Sequence, residues 1–159
     1  MKDNFSHIDG SGNVRMVDVG DKKVTKRTAK ASCTVLMDPS TLEAISENKI
    51  KKGNVLTAAR IAGIFAAKKV DSLIPMCHSL RVDHIDIQFI IESDPGKLGI
   101  RSAVSVSART GAEMEALQAV AQAALTVYDM CKSVDRGMII SDIRLMEKSG
   151  GKSGLWKRE

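Results

Sequence analysis

Aromatic side chains are almost missing from this sequence. One Trp, one Tyr and three Phe make up 3% of 159 residues. A core must therefore be filled by Leu, Ile, Val, Ala and the eight Met. The shortage also argues against a single-strand nucleic-acid binder, which stacks bases on aromatic rings. Cysteine is sparse as well: Cys33, Cys77 and Cys131 form an odd set without CxxC spacing. That excludes a disulfide framework and suits a reducing compartment. Long hydrophobic runs are absent, because Arg, Lys or Asp interrupts each apolar stretch before it could span a bilayer. The opening MKDNFSHIDG is polar and has no apolar h-region, so the expectation is a cytoplasmic protein with no secretory leader and no membrane partner.

What is present is ordinary for a folded enzyme. Apolar residues make up 43% and charged residues 27%, close to the globular average. The length suits one domain over 1–159, with 1–13 and 148–159 expected as flexible arms. A chain this long buries roughly 68–70% of the surface its unfolded form exposes. The net charge of +5 points to an anionic partner. The basic residues gather in two short clusters, Lys22-Lys23 with Lys26-Arg27, and Lys49 with Lys51-Lys52. Without stacking aromatics beside them, they fit a compact phosphorylated small molecule better than a nucleic acid.

Periodicity divides the chain. Met16–Val19 reads as a short strand and Arg27–Met37 as a longer one. Asp38-Pro39 supplies an N-cap and first residue for a helix over about 39–47. Asn54 can cap a helix over about 55–69, whose Ala58, Ala59, Ala62, Gly63, Ala66 and Ala67 allow a neighbour to approach closely. Pro75 makes 73–80 a loop. Strict alternation from Ile85 to Ile91 marks a half-buried strand, and 98–108 marks its antiparallel partner across Ser93-Asp-Pro-Gly96. Thr110 and Glu113 have capping-box spacing before the longest helix, about 111–134. A last strand covers 138–146. This order predicts an α+β domain, an antiparallel sheet with helices on one face.

Several segments could carry chemistry. On the long helix, Glu115, Gln118, Gln122, Thr126 and Asp129 form one polar stripe, continued by Lys132, and a solvated face explains it as simply as a site does. Glu115 and Asp129 lie fourteen residues apart, about 21 Å along one helix, too far for one small ligand to touch both. Cys77-His78 can be a ligand pair, a nucleophile with its base, or loop filler; four-ligand zinc spacing is absent. Lys148-Ser-Gly-Gly-Lys-Ser-Gly154 lacks the spacing of a P-loop. Its bare amides beside two lysines could still wrap an oxyanion, or form a polar tail. Lys51-Lys52-Gly53-Asn54 places lysine at a helix mouth, where desolvation beside another cation would lower its pKa; a solvated linker is the alternative.

Taken together, SHIDGSGNVRMVDVGDK, KGNVLTAARIAGIFAAKK, LIPMCHSL, TGAEMEALQAV, ALTVYDMCKSVDRGM and KSGGKSG resemble successive blocks of the MoaC-type cyclic pyranopterin monophosphate synthases. The likeness runs from about residue 6 to residue 154. It implies a ferredoxin-like fold, and a lyase that rearranges a cyclised dihydro-GTP to cyclic pyranopterin monophosphate and pyrophosphate in molybdenum-cofactor biosynthesis. It further implies a homo-hexamer, a trimer of dimers, with sites at a subunit interface. Lys52 and Lys132 would be the catalytic lysines, with Asp129 orienting Lys132 or exchanging protons. Cys77, His78, Glu113, Met114 and Glu115 would line the pterin-forming pocket. Arg27, Lys22, Lys148 and Lys152 would contact the triphosphate. No tightly bound cofactor or protein-held metal is implied, although Mg2+ can accompany the triphosphate. The chain departs from the family pattern at Asn54, Ser79 and Leu155, where Asp, Pro and Asp are usual. Two other readings are a nucleic-acid or nucleotide module without chemistry, and a structural partner that uses the 55–69 helix as an interface.

Overall fold

The fold follows from two periodicities that meet at a layer of small residues. In the computed structural model, which describes residues 11–159, β1 (Thr25–Leu36) turns Ala29, Ala31, Cys33 and Val35 inward. β3 (Lys97–Ala108) does the same with Leu98, Ile100, Val104 and Val106. The two pair antiparallel from Thr25 opposite Ala108 to Leu36 opposite Lys97. β2 (Val82–Glu92) lies on the far side of β3, with only Ile87 fully buried. β4 (Ile139–Ser149) pairs antiparallel with β1, and the short β5 (Trp156–Lys157) pairs with the end of β4. The order is β2-β3-β1-β4-β5.

Helices fill the connections. α1 (Pro39–Ser46) and α2 (Val55–Ala67) follow β1, and the single turn α3 (Val70–Leu73) follows α2. α4 (Glu113–Cys131) links β3 to β4. Strand, helix, strand, strand, helix, strand with this sheet order is the ferredoxin-like α+β arrangement, as expected. The helices lie against one face of the sheet. α2 and α4 meet at Gly63, where a Cβ would come within 2.5 Å of Ile87 Cδ1 and 2.6 Å of the Ala119 carbonyl. Ser102, on the inward face of β3, donates to the Ala116 carbonyl at 2.7 Å and ties α4 to the sheet.

Four expectations fail locally. Met16–Val19 is not a strand; the only bridge in this segment among the described residues is at Val14. Thr110 does not cap α4: its N-cap is Ala112, without a side-chain cap, and Glu113 bonds Lys148 instead. A long-range ion pair stands in place of the local capping hydrogen bond. Glu115 belongs to the buried side of α4, not to a solvated stripe. The tail expected to be loose from 148 joins the sheet, with Lys148 opposite Ala29, Ser149 opposite Thr28, and Trp156 opposite Lys148. The arm expected over 1–13, with His7, falls mostly outside the described residues. No described helix is long and apolar enough to cross a membrane.

Candidate functional site

Three side-chain groups stand out. The first surrounds a cavity of about 570 Å³ where the loop after α3, the entry to α4, the end of β4 and the segment before β1 converge. Pro75 keeps the loop out of helix, which carries Cys77 and His78 to the opening of α4. His78 Nε2 donates to the Val17 carbonyl at 2.9 Å, so in the neutral ring Nδ1 is left as the acceptor. Glu113 accepts from Lys148 Nζ at 2.9 Å. Met114 and Glu115 complete this wall. Glu115 is only 4% exposed. Burial, and then the nearby charges of Glu113 and Asp71, push its carboxyl up to about 7. The Cys77 thiol is also pushed up, by burial and then by Glu115. A thiol kept protonated suits a lining role better than a nucleophile.

The second group lies next to the first and shares Lys22 with it. This cavity, about 740 Å³, is lined by Lys22, Lys23, Arg27 and Lys152, with Asp21 as its one carboxylate. Arg27 is fixed by donating from Nε to the Ala108 carbonyl at 3.1 Å and from Nη2 to the Arg109 carbonyl at 3.0 Å. The glycines of the tail curl over it: Gly150 and Gly151 have φ of +97° and +70°, and a Cβ on Gly151 would strike the guanidinium. Lys148, grouped from sequence with the triphosphate contacts, lines the first cavity and not this one.

The third group sits at the other end of α4. Asp129 Oδ2 accepts from Lys52 Nζ at 2.9 Å, and Oδ1 accepts from Lys132 Nζ at 2.7 Å. Lys52 also donates to the Asp129 carbonyl at 2.8 Å. The two ammoniums hold the Asp129 carboxyl down at about 2, Lys132 being the stronger influence. Asp129 in turn raises Lys132. Both ammoniums are open to solvent, the Lys52 side chain being 45% and the Lys132 side chain 53% exposed. In the single chain both lysines are therefore placed as proton donors bound to a carboxylate.

A profile of the MoaC family matches residues 16–151. The chain belongs to the MoaC family. Relatives named cyclic pyranopterin monophosphate synthase include one from Thermoanaerobacter sp. strain X514, 51% identical over 156 residues and covering 98% of this chain and 99% of the relative. Another, from Desulforapulum autotrophicum, is 54% identical over 152 residues, covering 96% and 93%. A third, cyclic pyranopterin monophosphate synthase 1 of Mycobacterium tuberculosis, is 54% identical over 154 residues, covering 97% and 90%. Among solved structures, a de novo designed protein with ferredoxin fold aligns at a TM-score of 0.44 and 14% identity, covering 83% of this chain and 93% of the design. The strand order of the chain itself carries the fold assignment.

Against the MoaC pattern, the unusual Asn54 still works as an N-cap, its side chain accepting from Thr57 N at 2.8 Å. Ser79 and Leu155 are exposed. The remaining His and Cys of the described residues line neither cavity. His84 is exposed on β2. Cys33 and Cys131 are buried, with thiols pushed up to about 11 by burial. Among the described residues, no three His, Cys, Asp or Glu are grouped to hold a metal ion. Sequence reading missed Lys23 and Thr25 in the basic cavity, and Val17 and Val19 in the first. The basic cluster at 22–27 could have pointed to Lys23; nothing in the pattern singled out the other three.

Proposed function

We propose that the chain converts a cyclised dihydro-GTP to cyclic pyranopterin monophosphate and diphosphate, the lyase step of molybdenum-cofactor biosynthesis. The observation that carries this reading is identity above one half, over nearly the whole chain, to relatives named for that product. The cavity chemistry supports it. A guanine-derived ring needs hydrogen-bonding groups and proton carriers, and His78, Glu113 and Glu115 line one cavity with Cys77 and Met114. A triphosphate needs cations, and Lys22, Arg27 and Lys152 line the adjoining one.

In this reading, opening the purine and closing the pyrazine ring require several proton transfers, divided among Lys52, Lys132 and the cavity acids. Asp129 holds the two lysines together until substrate competes for them. A substrate hydroxyl then attacks the α-phosphate and loses its proton. The new P–O bond forms as the bond to diphosphate breaks, and the departing oxyanion leaves into the field of Lys22, Arg27 and Lys152. Any Mg2+ would arrive with the substrate triphosphate. Because Glu115 and Asp129 are about 21 Å apart on one helix, Lys52, Asp129 and Lys132 of one subunit would meet the cavities of another. That favours a homo-oligomer; its form as a hexamer, a trimer of dimers working in the cytoplasm, is what the family resemblance implies.

The test is turnover by purified protein supplied with the upstream cyclic dihydro-GTP, assaying pterin and diphosphate, with Lys52→Ala and Lys132→Ala alongside. The expected result is product from wild type and a loss of at least about a hundredfold in each variant, with assembly intact. No turnover from a correctly folded oligomer would sink the proposal.

A further inference from the structure

Thr25 opens β1 opposite Ala108. Its Oγ1 is closed off from water and has no hydrogen-bond partner, the one described side-chain atom in that condition. A hydroxyl buried without a partner carries an uncompensated desolvation penalty. Valine would give the same branched shape and the same stiffness in a strand without that penalty. The hydroxyl is therefore not there for the stability of the free chain.

Its surroundings suggest another use. Thr25 lines the basic cavity with Lys22, Lys23, Arg27 and Lys152, and with Gly151 and Ser153 of the tail. Four cations face one carboxylate, Asp21, so the cavity favours an anion. The lysines are exposed point charges that set no orientation. Arg27 is already committed to the Ala108 and Arg109 carbonyls. A short, β-branched hydroxyl on the first residue of a paired strand is the stiffer donor in that wall.

We propose that Thr25 is a binding residue for the diphosphate portion of the substrate, and holds the diphosphate after the bond to the α-phosphate has broken. The proposal rests on the function proposed above. With the ring among Cys77, His78 and Glu115, the phosphate chain passes Lys22, which both cavities share, and its outer two phosphates enter the basic cavity. Rotation about χ1 turns the Thr25 hydroxyl to a phosphate oxygen, and the orphaned donor gains an acceptor. Lys23 joins Lys22 and Lys152 in balancing the charge.

The test is isothermal titration of the intact oligomer with inorganic diphosphate, free of divalent metal. Wild type, Thr25→Val, Thr25→Ser and Thr25→Ala are compared, each with a thermal melt and with turnover measured separately. Diphosphate should bind wild type and Thr25→Ser within about threefold of each other, and Thr25→Val and Thr25→Ala at least about tenfold more weakly. Thr25→Val should have a Tm equal to or above wild type, so that binding and stability move in opposite directions. Equal Kd values for wild type and Thr25→Val, or no diphosphate binding by wild type, would overturn the proposal even if turnover is normal. Thr25-dependent binding without turnover would instead uphold the site and reject the proposed reaction.

Discussion

Glu113 and Glu115 share the first turn of α4 and have opposite circumstances. Glu113 faces the Lys148 ammonium. Glu115 is buried, has no ion pair among the described residues, and has its carboxyl pushed up to about 7. A carboxyl whose folded pKa lies above its unfolded value binds more protons in the folded state. Its contribution to stability is therefore full below about pH 4.5 and lost as the pH rises through about 7, a change on the order of 3 kcal/mol. Thermal melts across that window should show wild type losing stability on going alkaline, with Glu115→Gln losing less. Parallel profiles would mean that Glu115 ionises without penalty. Asp129 works in the opposite sense. Its pKa lies below the ordinary carboxylate value, so the stability from its lysine contacts is present above about pH 4 and lost only as the pH falls through about 2. Asp129→Asn keeps the shape but removes the charge that raises Lys132. The alkaline limb of kcat/KM against pH should move to lower pH in that variant, and an unmoved limb would assign it to another group.

At the scale of elements, α2 and α4 can cross closely because Gly63 offers no side chain where Ile87 Cδ1 and the Ala119 carbonyl lie. Gly63→Ala would normally favour a helix. Here it should destabilise by about 1–3 kcal/mol through overpacking, measured by urea unfolding, and a neutral result would contradict the crossing. This contact was readable in advance, because a helix so rich in Ala and Gly has little other reason to be. The strands of the β2–β3 hairpin were readable for a similar reason, since alternation from Ile85 to Ile91 fits only one period. Glu113 was not. Thr110 and Glu113 have the spacing of a local cap, and nothing local reveals a lysine thirty-five residues later. Lys148 itself was hidden by composition: Ser, Gly and Lys read as a tail until Ala29 is seen opposite it in the sheet. Thr25 was invisible, because an unpaired hydroxyl is defined by what surrounds it in space.

For the whole molecule, the chemistry-bearing groups are distributed to two ends. The resemblance named candidate residues in all three groups, and their grouping needed coordinates. Cys77, His78, Glu113 and Glu115 gather at one cavity, Arg27 and Lys152 at the next, and Lys52, Asp129 and Lys132 at the far end of α4. If one subunit completes the site of another, His78→Ala and Lys132→Ala chains, each inactive alone, should regain measurable turnover when coexpressed and assembled together. No recovery in mixed oligomers would show that each chain builds its own site.

The nineteen residues of α4 hold those ends apart as a rod about 28 Å long. If the site is shared between subunits as proposed, a dissociated chain would keep every one of these side chains and own no complete site. Mass action then enters the kinetics: diluting the enzyme below the dissociation constant of its assembly should lower the rate per chain, so that specific activity bends downward with dilution where a self-sufficient monomer would stay flat.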